Sequence, residues 1–92
     1  MLLSVPTRMT VAPWRVANPL YRVADVWITA PDGAEYLLRA ACATNRDGSL
    51  TGRPYVSGRG RLNRHTGRVV SSKQTAKLLE PVADALGAFL TP

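Results

Sequence analysis

The chain has 92 residues, an apolar fraction of 46% and a formal net charge of +6. That length predicts one domain, 1–92, folding alone on a thin core, and the apolar content excludes a disordered polymer. No apolar run approaches the ~20 residues of a membrane helix. The start, MLLSVPTRM, has no charged leader or small-residue cleavage site, so no secretory signal is read and a cytoplasmic location is expected.

The N-terminal stretch VPTRMTVAPWRVANP holds Pro6, Pro13 and Pro19. Residues 1–19 are therefore expected as an irregular edge strand or an extended arm, anchored by Trp14. In YRVADVWITA the period-two pattern sets Ala24, Val26, Ile28 and Ala30 on one side and Tyr21, Val23 and Trp27 on the other. APDG at 30–33 ends in a glycine where a type I turn passes into a left-handed residue, which predicts a tight hairpin. The return strand AEYLLRAACAT sets Tyr36, Leu38, Ala40 and Cys42 on one face. NRDG at 45–48 and RHTG at 64–67 repeat the same turn chemistry.

In RPYVSGRGRLN, Tyr55, Ser57, Arg59 and Arg61 alternate with Val56, Gly58, Gly60 and Leu62. Strict alternation predicts that the arginines share a face with Tyr55 while Val56 and Leu62 point to the core. Gly58 and Gly60 weaken the strand and are candidates for a bulge or a close backbone approach. RVVSS then returns beside it, with Val69 or Val70 near Leu62.

SSKQTAKLLEPVADALGAFL has Ser71 and Gln74 at capping-box spacing. At a helical period Lys73, Lys77, Glu80 and Asp84 fall on one side, and Leu78, Leu79, Val82, Leu86 and Phe89 on the other. This predicts an amphipathic helix over about 72–90, kinked near Pro81 or split there into two. The expected fold is α+β: an antiparallel sheet of three to five strands with hairpins at 30–33, 45–48 and 64–67, and the helix packed on one face. No family motif is matched. In element order alone, strands followed by a helix, the chain resembles small sheet-reading DNA-binding domains such as the arm-binding domains of some integrases.

The charge is unevenly spread. Residues 1–45 set four arginines against Asp25, Asp32 and Glu35, net +1; residues 46–77 set eight basic residues against Asp47 alone, net +7; residues 78–92 hold only Glu80 and Asp84, net −2. Ten of the twelve basic residues are arginine, a bias that a GC-rich coding sequence also produces, so the clustering carries more weight than the choice of arginine. The clustered candidates for binding nucleic acid are Arg53, Tyr55, Arg59, Arg61, Arg64, His65, Arg68, Lys73 and Lys77. Arginine forks suit phosphates and guanine edges, a two-stranded ribbon fits a major groove, and a helix N-terminus offers unpaired amides to an anion. The bland reading of the same residues is a solvated sheet face and a charged, aggregation-resistant edge.

Enzymatic chemistry is poorly supported. Cys42, the single cysteine, lies among small apolar residues as a buried inert thiol, and with His65 alone beside it no familiar zinc set exists. His65 near Arg61, Arg64, Tyr55 and Lys73 is the only general acid–base candidate, as in a small ribonuclease, and it matches no nuclease motif. GSLTG and SGRG lack the context of a phosphate-binding loop. Tyr21, Trp14, Trp27 and Tyr36 are stacking candidates, with core packing preferred for Trp27 and Tyr36 and function preferred for Tyr55.

The sequence thus points first to a small, basic, non-enzymatic nucleic-acid-binding protein, DNA or RNA, without cofactor or metal. The alternative is a protein–protein interaction or assembly module, such as a phage-encoded host-takeover or structural factor, meeting an acidic protein surface. A ribonuclease using His65 comes third. No membrane partner is expected, and the apolar N-terminal segment admits a homodimer.

Overall fold

The computed structural model of the chain describes residues 8–89, the side chain of Phe89 excepted. Residues 1–7, the helix end expected at 90, and the apolar contact expected of Phe89 fall outside the described residues. The strands are β1 (Arg8–Val11), β2 (Arg15–Asn18), β3 (Tyr21–Thr29), β4 (Glu35–Thr44), β5 (Leu50–Asn63) and β6 (Arg68–Val70), followed by the helix α1 (Lys73–Phe89). They form one antiparallel sheet in the order β1-β3-β4-β5-β6, with β2 also on β3.

Six strands exceed the expected three to five because the N-terminal stretch supplies two. β1 pairs with Val26–Thr29 and β2 with Tyr21–Val23, so both lie along the same edge of β3. Pro13 has no amide to donate, and the pairing lapses between them after Ala12 bonds the Asp25 carbonyl at 2.9 Å. Of the two expectations, the irregular edge strand is what forms over the described part of 1–19.

The three predicted turns connect β3–β4, β4–β5 and β5–β6, and Gly33, Gly48 and Gly67 all have positive φ. The first two close alike. Ala30 and Asn45 each accept from the glycine amide and donate to the residue after it, and Asp32 and Asp47 accept from the amides of Ala34 and Ser49. The third is one residue longer, with Gly67 donating to Asn63 at 2.8 Å.

Cross-strand partners share a face of the sheet, so the register fixes which side each residue takes. Ala24, Val26 and Ile28 oppose Ala40, Leu38 and Tyr36, and all six are buried. Leu79, Val82, Ala83 and Leu86 of α1 close over that face. Burying each large apolar side chain there contributes about 1.5–3 kcal/mol. Cys42 belongs to the same buried row, its thiol turned to the Thr51 carbonyl at 3.4 Å.

α1 runs without interruption through Pro81, so the alternative of two short helices does not occur. Pro81 and Lys77 are both on the exposed side, where the carbonyl that the proline cannot serve meets water. The cap lies one residue later than the expected Ser71–Gln74 box. Ser72 Oγ accepts from the Thr75 amide at 3.1 Å and bonds Thr75 Oγ1 at 2.9 Å.

β5 departs from the expected alternation. Leu38 opposes Gly58, but Leu37 opposes Gly60, which leaves Arg59 as an extra residue in a bulge. The bulge inverts the face of everything after it. Tyr55 and Ser57 share the open face with Ala41 and Arg39, whereas Arg61 opposes buried Tyr36 and so lies on the helix side. Leu62, expected in the core, opposes Val69 on the open face. Gly60 is what permits this. A Cβ there would sit 2.5 Å from the Val70 carbonyl oxygen and 2.9 Å from Val69 Cγ1.

Candidate nucleic-acid interface

The basic residues from Arg59 onward gather at one edge, where the β5–β6 hairpin leads into α1. Arg59 stands exposed in the bulge, and Arg68 opens β6 opposite Asn63. Lys73 is the first residue of α1 and Lys77 lies one turn further along it, both exposed. None of Arg59, Arg61, Arg68, Lys73 and Lys77 has a carboxylate within ion-pair distance among the described residues. The first turn of α1 contains no acidic residue, so the positive end of the helix dipole adds to the same field.

At the end of the sheet a groove of about 620 Å³ lies between the hairpin loop, the β3–β4 turn and the start of α1. Arg61, Arg64 and His65 line it together with Ser72, Gln74 and Thr75. Asp32 and Glu35 form its other wall, so the groove carries both signs of charge. A smaller hollow of about 420 Å³ continues from it past Arg61 and Gln74 to Tyr36 and Leu78.

Arg64 is committed to the fold. It donates to the Gly33 carbonyl and lies 3.9 Å from Glu35, and so ties the hairpin loop to the β3–β4 turn. The His65 backbone amide donates to Asn63 Oδ1 at 3.0 Å, a contact that does not involve the imidazole. Asn63 also accepts from the Thr66 amide. It was not among the expected site residues, although an Asn at the mouth of a turn is a readable signal.

Two predicted residues lie elsewhere. Arg53 sits near the other end of β5 and donates to the Asp84 carbonyl of α1 at 3.1 Å. Tyr55, 74% exposed, stands on the open face, roughly 17 Å along the strand from Arg61, since their β4 partners Ala41 and Tyr36 are five positions apart at ~3.3 Å per residue. Tyr55 therefore shares no surface with the hairpin arginines, and the neighbourhood of His65 contains Asp32 and Glu35 in its place. Trp27 is likewise on the open face and only half-buried, while Tyr36 is in the core as expected.

The open face is electrostatically different. Asp25 accepts from Arg39 Nε at 3.0 Å and lies 3.6 Å from Arg15 Nη2. Among the described residues no cluster of metal-ligating side chains occurs, and no helix is long and apolar enough to cross a membrane. No protein-family model, curated protein or solved structure matches the chain.

Proposed function

We propose that the chain is a non-enzymatic nucleic-acid-binding protein that holds phosphates along the β5–β6–α1 edge. The observation that carries this reading is the distribution of ion pairs. Arg15, Arg39 and Arg64 have carboxylate partners among the described residues; of the nine basic residues without one, Arg59, Arg61, Arg68, Lys73 and Lys77 gather on this edge, and Arg8, Arg22, Arg46 and Arg53 lie elsewhere. Unneutralised cations on one edge leave a field that a polyanion can neutralise, with release of its counterions. Arg59, Arg68, Lys73 and Lys77 form the outer contacts, and Arg61 with the helix N-terminus reaches one phosphate further in. Asp32 and Glu35 in the groove wall repel a phosphate backbone, which favours contact along the edge over deep insertion. A protein with an acidic surface would use the same cations, and the test separates the two.

Labelled duplex DNA, single-stranded DNA and RNA are titrated by fluorescence anisotropy at several salt concentrations, with wild type and Arg59/Arg61/Arg68→Ala. Five phosphate contacts give a log–log salt slope of about −4 to −5 on duplex, and the triple variant shallows it by about 3. Arg53→Ala, a control on the far side, leaves the slope unchanged. Equal binding by wild type and triple variant refutes the reading. Failure of all three nucleic acids to bind at physiological salt transfers the edge to an acidic protein partner.

A further inference from the structure

The face of the sheet away from α1 is more apolar than a solvated face requires. Antiparallel sheets with one packed face ordinarily turn polar side chains to water on the other. Here the register places Trp27, Leu37, Ala41, Leu62 and Val69 on that side, with Tyr55 74% exposed above them. None of α1 lies on it, since the buried residues of the helix pack on the opposite face. Its charges are mostly paired in place: Asp25 is shared by Arg15 and Arg39, which leaves one positive charge in excess there, and Glu35 pairs with Arg64. Paired charges lose less on desolvation than free ones, and free cations are what a polyanion would need. Arg8, at the corner of this face opposite Thr29, is its exception.

We infer that this open face is the contact between two copies of the chain, stacked sheet on sheet as a sandwich around the apolar residues. A two-fold axis parallel to the strands and between β3 and β4 sets Asp25 of each copy against Arg39 of the other. The same axis opposes Trp27 to Leu37 and brings Arg15 over Tyr55, a cation–π arrangement. Unlike charges meet at the first of these positions, apolar side chains at the second and a cation and an aromatic ring at the third, which is the self-complementarity an isologous interface demands. The overlap spans four strand positions and the nine residues of β3. At ~4.8 Å between strands and ~3.3 Å per residue, its flat projection is about 1,100 Å² over both copies, above the ~1,000 Å² expected of a specific interface. β6 and the basic edge overhang the stack on either side, so two phosphate-binding edges stay open. The contact does not depend on the nucleic-acid reading.

The test is mass by sedimentation equilibrium, after nuclease treatment and in high salt, on wild type, Leu37→Glu, Tyr55→Ser and Arg59/Arg61/Arg68→Ala, each checked by far-ultraviolet circular dichroism. The expected result is a reversible dimer of the 10.0 kDa chain that Leu37→Glu reduces to monomer. Tyr55→Ser, whose side chain is too exposed to matter for folding, raises the dissociation constant at least about tenfold. The triple arginine variant keeps the wild-type mass whatever its effect on nucleic acid. A wild type that stays monomeric through the micromolar range overturns the inference. So does a dimer that survives both open-face substitutions, and so does one that nuclease or salt dissolves, since nucleic acid would then be bridging it.

Discussion

Gly60→Ala tests whether the bulge governs the shape of the candidate site. Two separate costs fall on this position. The backbone has φ +156, a conformation that side chains other than glycine rarely adopt, and such strain costs about 1–3 kcal/mol. The added methyl would also stand 2.5 Å from the Val70 oxygen and 2.7 Å from its carbonyl carbon. These are backbone atoms that cannot rotate aside, so β6 must move, at about 1–3 kcal/mol for overpacking. Together they predict a loss of about 2–6 kcal/mol, and a melting temperature lower by at least ~8 °C for a domain of this size. Gly67→Ala is the control, because Gly67 has φ +71 with nothing within 4 Å of an added Cβ. It should lose only the left-handed backbone cost of about 1–2 kcal/mol. Thermal melting by circular dichroism compares them, and amide exchange at Val69 and Val70 shows where the loss falls. β6 carries Arg68 and leads directly to the Ser72 cap, so the Gly60 variant should also bind polyanions less well at temperatures where it is folded. Equal melting temperatures for the two variants, or unchanged protection at Val69 and Val70, would refute the argument that steric contact with β6 fixes this bulge.

Leu79→Ala, at a fully buried position, should lose about 2–5 kcal/mol in urea unfolding. A Cβ at Gly58 would lie 2.9 Å from Leu79 Cδ1, so Gly58→Ala should cost less in that background, with a coupling above ~0.5 kcal/mol in a double-mutant cycle. Asp47→Asn should show its effect only above acid pH. The Ser49 hydroxyl, and then its amide, donate to Asp47 and hold its carboxyl below the ordinary value of 3.8. A lowered folded value means the stabilisation is fully present above pH 3.8 and disappears as pH falls through the folded value. The melting-temperature gap between wild type and Asp47→Asn should therefore be constant near neutrality and close in acid, and a gap that persists at pH 2 would contradict it.

What the sequence made legible was the part governed by near neighbours. The turns at 30–33 and 45–48 follow from Asp and Gly at fixed offsets, and the faces of β3 and β4 follow from an alternation that no bulge interrupts between them. The amphipathic helix was legible for the same reason. The bulge was not, because Tyr55, Ser57, Arg59 and Arg61 continue an apparently regular alternation straight through it. Only Gly58 and Gly60 marked the place, and glycine does not state which residue is the extra one. The fold contacts of Arg53 and Arg64 were not legible because their carbonyl partners, Asp84 and Gly33, lie 31 residues away in each case. Trp27 read as core on its apolar character, although its parity already set it opposite Val26 and Ile28. The pattern was right there and the hydrophobicity misled.

The parity inversion at Gly60 has one further consequence. Had the alternation continued, Arg59 and Arg61 would project from the open face beside Tyr55, and Leu62 would be buried under α1. One surface would then be both cationic and aromatic, as in sheets that bind single strands by stacking. The extra residue sends Arg61 to the helix side and returns Leu62 to the open face. It thereby removes a cation from the apolar face and a hydrophobe from the cationic edge with a single change of register. The two surfaces become chemically distinct, one partly apolar with most of its charges in ion pairs, the other with unneutralised cations beside a helix N-terminus. Association through the first and polyanion binding through the second can then vary independently. Restoring the alternation by deleting Arg59 should disturb both, whereas substitutions on either surface should disturb only one.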